Sequence, residues 1–150
     1  MWDKVTKAAA ALVGALAGLL GEWNVMLTSL AVLMVIDYLS GLLCAWRGVS
    51  PKTETGGVSS KAGFDGLAKK AFIILIVLMA TILDHVINVG SAVFQTAATM
   101  YYIANEGISI LENAALLGVP FPARMRQALE AMRTKADKPP DPDGEPEEDE

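Results

Sequence analysis

The residues of this chain that could carry a function are carboxylates and amides placed within apolar sequence. The clearest set lies in the last apolar stretch. At about 100° per residue, its side chains share an arc of about 120° on one face of a helix. The set consists of Asn105, Glu106, Ser109, Glu112 and Asn113. Since an ionised group near the centre of a membrane helix costs about 2.5–3.5 kcal/mol, these residues predict either a protein contact or a water-lined path.

Two earlier stretches carry similar polar faces. One contains Thr81, Asp84, His85, Asn88 and Ser91 at helical spacing. The other has Asp37 near its middle, with Ser40, Gly41 and Cys44 on the same side. The polar faces either pair with one another inside a single bundle or become exposed to water when subunits assemble. For Asp84 and His85, a position at the outer membrane interface is a further explanation.

Catalysis and metal binding are disfavoured by the residue counts. One cysteine and one histidine allow no internal disulfide and no Cys/His cluster for zinc or iron. No side chain has a convincing arrangement as an activated nucleophile. Twelve bases against seventeen acids give no broad positive surface for phosphates. We therefore predict no enzyme activity, no metal or other cofactor, and no nucleic-acid partner.

The composition predicts a membrane protein. Of the 150 residues, 53% are apolar and 19% are charged, and the mean hydropathy is +0.39. This exceeds what a soluble domain needs. The net charge of −5 comes from residues 137–150, which hold eight acids and one base, so the rest of the chain is slightly basic. We predict that residues 137–150 form a disordered acidic tail.

Four apolar stretches would position the polar groups: residues 8–20, 25–45, 71–94 and 97–117. About 20 helical residues cross the roughly 30 Å hydrocarbon layer, so the last three are predicted to span it. The short first stretch, within residues 1–24, could span, re-enter, lie in the interface or be a cleaved signal sequence. Small residues predicted to pack between helices are Ala10, Gly14, Gly18 and Gly41.

The predicted fold class is an all-α membrane protein with three to four transmembrane helices. Residues 25–122 would form the transmembrane domain, with a loop over residues 47–70. Lys and Arg fall in that loop and at both ends of the chain, so the loop and the C-terminus are predicted to be cytoplasmic. Residues 123–136 are predicted to form an amphipathic helix at the cytoplasmic face, lying either on anionic headgroups or under its own transmembrane bundle. The bases predicted at the membrane surface are Lys61, Lys69, Lys70, Arg124, Arg126 and Arg133.

Three segments resemble the phage lysis and toxin-secretion holins. Residues 101–132, YYIANEGISILENAALLGVPFPARMRQALEAM, are similar to that family's aromatic-x-x-x-N-E-x-x-S-I-x-E-N block, followed by L-G-x-P-x-P and an amphipathic end. Residues 36–41, IDYLSG, resemble a segment late in one of its spans. Residues 60–66, SKAGFDG, followed by Lys69 and Lys70, resemble the loop leading into its next span.

The resemblance implies a small protein that forms homo-oligomers in the cytoplasmic membrane of a bacterial host. The oligomers would open lesions through which an endolysin, or in some members a toxin, leaves the cell. The endolysin would be a functional partner without direct contact, and the polar helix faces would turn towards water on assembly. An antiholin that restrains the pore former, a small ion or proton channel, and a structural membrane adaptor are the alternative functions.

Overall fold

The computed structural model describes residues 2–19, 24–87 and 92–138, and all regular secondary structure in these ranges is helical. The helices are α1 (Trp2–Leu19), α2 (Val25–Trp46), α3 (Ser60–Ile87), α4 (Val93–Leu116) and α5 (Ala123–Asp137). The predicted all-α class is therefore confirmed. The predictions for Asn88, Ser91 and the acidic tail beyond residue 138 fall outside the described residues.

Two helices within the described ranges, α2 and α3, are long and apolar enough to cross a membrane. This is fewer than the three to four predicted. Helix α1 differs from a purely apolar span, because it has three charged residues near its start: Asp3, Lys4 and Lys7. Helix α4 has the length of a span, but its amides and carboxylates lower its hydropathy below that of α2 and α3.

Local signals set the ends of α2. The Asn24 side chain accepts a hydrogen bond from Leu27 N at 2.9 Å and caps the start of the helix. After the helix, the chain turns at Gly48 and Gly56, whose φ angles are +72° and +70°. A Cβ on Gly56 would lie 2.2 Å from the Gly48 carbonyl oxygen, so only glycine fits there.

Helix α3 begins within the region predicted to be a loop over residues 47–70. Ala62 N donates to the Ser59 hydroxyl at 3.4 Å, and the helix starts at Ser60, well before the apolar sequence. The irregular connection therefore covers residues 47–59 only. Polarity in the first turns of α3 had suggested a loop, but polar residues form helix readily where one end of the helix lies in water.

Helix α4 is the centre of the bundle and packs against α2, α3 and α5. Helix α3 runs antiparallel to α4, because Lys70 near its start contacts Glu106, whereas Asp84 near its end contacts Phe94. An apolar core lies between the three helices. It consists of Leu27, Leu30, Met34, Ile73, Val77 and Leu78, with Ala98, Tyr102 and Ile103 packed against it. Its members from α2 precede Asp37 and those from α3 follow Lys70, so α2 is antiparallel to α3 and parallel to α4.

Helix α5 packs back along α4 and on none of the other described helices. The Leu129 side chain lies against Gly107, where an added Cβ would be 2.9 Å from Leu129 Cδ1. Towards its C-terminal end, Lys135 borders a groove shared with Met100 of α4. The reversal between the helices follows Gly118, which has a φ of +75°. The structure has a helix at these residues, and it packs lengthwise along α4 rather than under the bundle.

Candidate functional site

A buried ion cluster joins α2, α3 and α4 at one level of the bundle. The Lys70 ammonium lies 2.8 Å from Asp37 Oδ2 and also donates to Glu106 Oε2. The side chains of Lys70, Asp37 and Glu106 are only 13%, 9% and 6% exposed. One cation is thus shared by two carboxylates that come from different helices.

Asn113, Ser40 and Cys44 extend this cluster along the contact between α2 and α4. Asn113 Nδ2 donates to Ser40 Oγ at 2.8 Å and lies 3.4 Å from Asp37 Oδ1. The Cys44 thiol donates to the Asn113 carbonyl oxygen at 3.4 Å. In the part of the chain that the structure describes, no buried side-chain nitrogen or oxygen lacks a hydrogen-bond partner. The polar groups of these helices are therefore satisfied within one subunit.

The charges of the ion cluster do not balance. When both carboxylates are ionised, the single ammonium leaves one net negative charge in a site whose side chains are largely buried. Moving an ion out of water costs several kcal/mol, and attraction between partners offsets that cost only when the geometry is good. Hydration would lower the free energy of such a cluster. The ion cluster therefore favours any rearrangement of the helices that brings water to its charges.

A cavity of about 270 Å³ lies beside the ion cluster, between α2, the 47–59 connection, α3 and α4. Asn105 and Ser109 of the predicted polar face line it, together with Glu106. The side chains of Lys52 and Lys69 also line it and are exposed at the surface. At about 30 Å³ per molecule, the cavity has room for several waters. Polar groups thus connect the surface of the protein with the ion cluster.

Asp84 forms a second polar contact, at the start of α4. Its carboxylate accepts hydrogen bonds from Phe94 N at 2.9 Å and Gln95 N at 2.8 Å. Gln95 Nε2 also donates to the Thr81 hydroxyl at 2.8 Å. Asp84 therefore caps α4 from the neighbouring helix, where a negative charge also interacts favourably with the helix dipole. The adjacent His85 is exposed, with Nδ1 2.7 Å from the Thr81 carbonyl oxygen.

Glu112 is exposed, unlike the buried Glu106 and Asn113 on the same helix. It lies 3.4 Å from Arg126 of α5, and Arg126 in turn lies 3.0 Å from Glu130. Both ion pairs are at the surface, where such pairs contribute little to stability. Five of the predicted surface bases are at least partly accessible: Lys61, Lys69, Arg124, Arg126 and Arg133.

Lys70 is the exception among the predicted surface bases, because it lies in the ion cluster. Its position continues the buried face of α3, which includes Ile73, Val77 and Asp84. The neighbouring Lys69 projects from α3 about 100° away from Lys70, lines the cavity and is exposed. This helical spacing is the signal by which the sequence could have identified Lys70 as the partner of the buried carboxylates.

The predicted small-residue contacts differ between helices. At Gly41 of α2, an added Cβ would lie 3.6 Å from Lys52 Nζ and 3.7 Å from Asn113 Nδ2, so this glycine lies at a packed crossing. On α1, Ala10, Gly14 and Gly18 are exposed, and no atom lies within 4 Å of a Cβ built on either glycine. Packing of this face of α1 against another helix stays a prediction.

A metal site is not visible among the described residues, since they contain no group of three or more His, Cys, Asp and Glu side chains that could hold an ion. The polar groups at the centre of the bundle instead bind one another. The arrangement consists of a shared lysine, two carboxylates and an amide, and lies next to a cavity with room for water.

Comparison with known proteins places these features in a family. The sequence model described as "Bacteriophage holin family" matches residues 14–134. An uncharacterised protein from Halalkalibacterium halodurans is 40% identical over 129 residues, covering 83% of this chain and 90% of the relative. An uncharacterised 14.9 kDa protein from Clostridium perfringens is 39% identical over 115 residues, covering 77% and 82%.

A third relative carries a functional name. It is described as "Probable holin" of Bacillus phage phi105 and is 31% identical over 107 residues, which cover 71% of this chain and 73% of the relative. No solved structure matches the chain. The matched region contains the ion cluster, the cavity and most of α5.

Proposed function

Because the chain belongs to the bacteriophage holin family, we propose that it oligomerises in the cytoplasmic membrane of a bacterial host and opens lesions that release an endolysin. Family membership and two membrane-capable helices make it a membrane protein. The holin family is not an enzyme family, which agrees with the residue counts above. The observation that carries the mechanism is the buried cluster of Asp37, Lys70 and Glu106.

The ion cluster supports a mechanism in which assembly exposes hidden polar groups. In a separate subunit, Glu106 and Asn113 are buried against α2 and α3. Asn105 and Ser109 lie half-buried at the cavity. If neighbouring subunits open this contact to water, the burial cost of the charges is removed, and the assembled state gains stability. Assembly would then depend on the surface density of the protein.

The topology in this proposal follows the distribution of bases. The 47–59 connection, the first part of α3 and the start of α5 lie on the cytoplasmic side, because Lys and Arg concentrate there. Helix α4 returns between the spans α2 and α3, since it packs along both of them. Its polar side chains are compatible with this position because they bind partners on those helices.

Expression with and without a cytoplasmic endolysin tests the proposed function. We expect abrupt arrest of growth in both cultures, and lysis only where the endolysin is present. Leakage of potassium without release of the enzyme would indicate a small channel and would contradict the proposal. Restraint of a known holin without lesions of its own would indicate an antiholin.

Substitution of the carboxylates of α4 tests the mechanism separately from the function. The double variant Glu106→Leu, Glu112→Leu should change the time of lysis, because it removes Glu106, the buried charge that assembly would hydrate. Glu112→Leu alone is the matched control, since Glu112 is already exposed. Lysis by the double variant on the normal schedule would show that hydration of these groups does not drive assembly.

A further inference from the structure

The bundle has two chemically different sides. Large apolar side chains are exposed along α2 and α3, where water would contact them in a soluble protein. On α2 they include Val35, Leu39 and Leu43, and on α3 they include Leu75, Met79 and Ile82. Apart from residues at its ends, Val93 and Leu116, α4 exposes no such side chain. Helices α2 and α3 therefore supply the face that suits lipid.

The other side of the bundle is formed by α5, which is charged. Since α5 packs on α4 only, α4 separates it from the lipid-compatible helices. The helix contains four bases and two acids. Leu129 faces α4, and the opposite face of α5 presents Arg124, Gln127, Ala131 and Thr134, all of them exposed. Lys135 is also exposed and lies on the flank between that face and α4.

Helix α5 lies at the same level along the bundle as the apolar core, rather than below the core. Gly107, which Leu129 covers, is next to Glu106 of the ion cluster. Lys135 borders a groove with Met100, and the neighbouring Ala98 and Tyr102 pack against the core of α2 and α3. The second half of α5 is therefore level with membrane-compatible parts of α2 and α3.

A charged face at this level is unfavourable against hydrocarbon. A lysine or arginine near the centre of a membrane helix costs about 2.5–3.5 kcal/mol on insertion scales. Between the bases this face carries Gln127, Thr134 and one small apolar residue, Ala131, which give lipid chains little apolar area to contact. Water on the outer face of α5, with lipid on α2 and α3, removes this cost.

We propose that the outer face of α5 lines the water-filled lumen of the assembled oligomer, while α2 and α3 face lipid. This inference rests on the proposed function, and it assigns the lining to a helix other than the polar face of α4. Helix α5 enters the lumen from the cytoplasmic end of α4, and Asp137 points towards the other mouth.

Spin labels on the full-length protein in phosphatidylethanolamine–phosphatidylglycerol vesicles test this assignment. The background variant is Cys44→Ala, which removes the native thiol. Single cysteines at Gln127 and Ala131 report on the outer face of α5, and those at Leu39 and Met79 on the opposite side. Relaxation by a water-soluble nickel chelate measures contact with water, and relaxation by oxygen measures contact with lipid.

The position of α5 in the same vesicles is checked by a disulfide. A Cβ at residue 107 would lie 3.5 Å from Leu129 Cγ, close enough for cysteines at both positions to react. The double variant Gly107→Cys, Leu129→Cys should therefore cross-link within one chain on oxidation. Gly107→Cys with Gln127→Cys is the control, because Gln127 lies on the far side of α5.

The expected result is a cross-link between residues 107 and 129, together with a several-fold higher ratio of nickel to oxygen relaxation at 127 and 131 than at 39 and 79. A cross-link with oxygen-dominated relaxation at 127 and 131 would place α5 against lipid and overturn the inference. Failure to cross-link would show that α5 leaves α4 in the membrane, which also overturns it. Lysis is measured separately, so loss of the holin function would be distinguishable from a wrong assignment of the lining.

Discussion

Gly107 of α4 and Leu129 of α5 meet so closely that a Cβ on the glycine would lie 2.9 and 3.0 Å from the two leucine methyl carbons. These methyl groups end a flexible side chain and can move a little, so alanine at 107 should be tolerated. A β-branched residue adds bulk that the helix backbone cannot avoid. Because α5 packs on α4 alone, overpacking at this contact would weaken the attachment of α5 to the bundle.

We therefore expect Gly107→Val to detach α5. Overpacking costs about 1–3 kcal/mol, and trypsin should cut more rapidly at Arg126 and Arg133 in membranes that contain the variant. Gly14→Val is the matched control, because no atom lies within 4 Å of a Cβ at that position. Adding Leu129→Ala should restore resistance, since it frees the space that valine needs. Unchanged cleavage of Gly107→Val would contradict the packing of α5 on α4.

Lys70 provides a prediction about stability. Lys70→Met leaves Asp37 and Glu106 buried without their shared cation, and breaking a buried pair costs about 3–5 kcal/mol. The variant should show a lower thermal midpoint in detergent and reduced accumulation in the membrane. Lys69→Met serves as the control, because the adjacent side chain is exposed.

The loss of stability caused by Lys70→Met should be smaller when the two carboxylates are also made neutral. In a chain that also carries Asp37→Asn and Glu106→Gln, no uncompensated carboxylate remains, so Lys70→Met should cost much less. The thermal midpoints of the four combinations form a cycle that isolates the ionic contribution. Equal losses in both backgrounds would mean that Lys70 acts through packing of its methylene groups rather than through charge.

The sequence predicted the helices well because their signals are local. Apolar runs and the prolines after α4 identified α2, α4 and α5 closely, and the polar face of α4 identified Glu106 and Asn113 as groups in need of partners. The partners themselves depend on tertiary register. Lys70 follows another lysine in a polar segment, and only the antiparallel alignment of α3 with α4 brings it to Glu106.

The span count and the position of α5 also depended on context. Length favoured α4 as an independent span, whereas its polar residues require α2 and α3 as partners. The amphipathic pattern of α5 fitted a lipid surface and a helix surface equally, because both accept an apolar strip. The close approach at Gly107 distinguishes them, and a glycine within a helix does not by itself identify the side chain that covers it.

Asp84 gives a prediction about the start of α4. Asp84→Ala removes the acceptor for two backbone N–H groups, at Phe94 and Gln95. Loss of a helix cap costs about 0.5–2 kcal/mol, and hydrogen exchange at these two amides should become faster. Asp84→Asn, which keeps one acceptor oxygen, should have a smaller effect. The exposed neighbour provides the control His85→Ala, and equal exchange rates in the alanine variants at 84 and 85 would contradict a capping role.

The charge of α5 predicts the ion preference of the assembled protein. If its outer face lines the lumen, the exposed bases Arg124 and Lys135 raise the local concentration of anions. Planar bilayers under a potassium chloride gradient measure the contribution of these bases through the reversal potential. Arg124→Glu with Lys135→Glu should shift this potential towards potassium, more strongly at low salt because screening is weaker.

The control for this shift is a pair of charge reversals away from the proposed lumen. Arg47→Glu with Lys61→Glu changes the net charge of the chain by the same amount, and both residues are exposed near the 47–59 connection. This variant should leave the reversal potential unchanged, because a lumen responds mainly to charges within a Debye length, about 8 Å at physiological salt. Equal shifts in the two variants would mean that total charge at the mouth, rather than the face of α5, sets the selectivity, and α5 would then no longer be the lining helix.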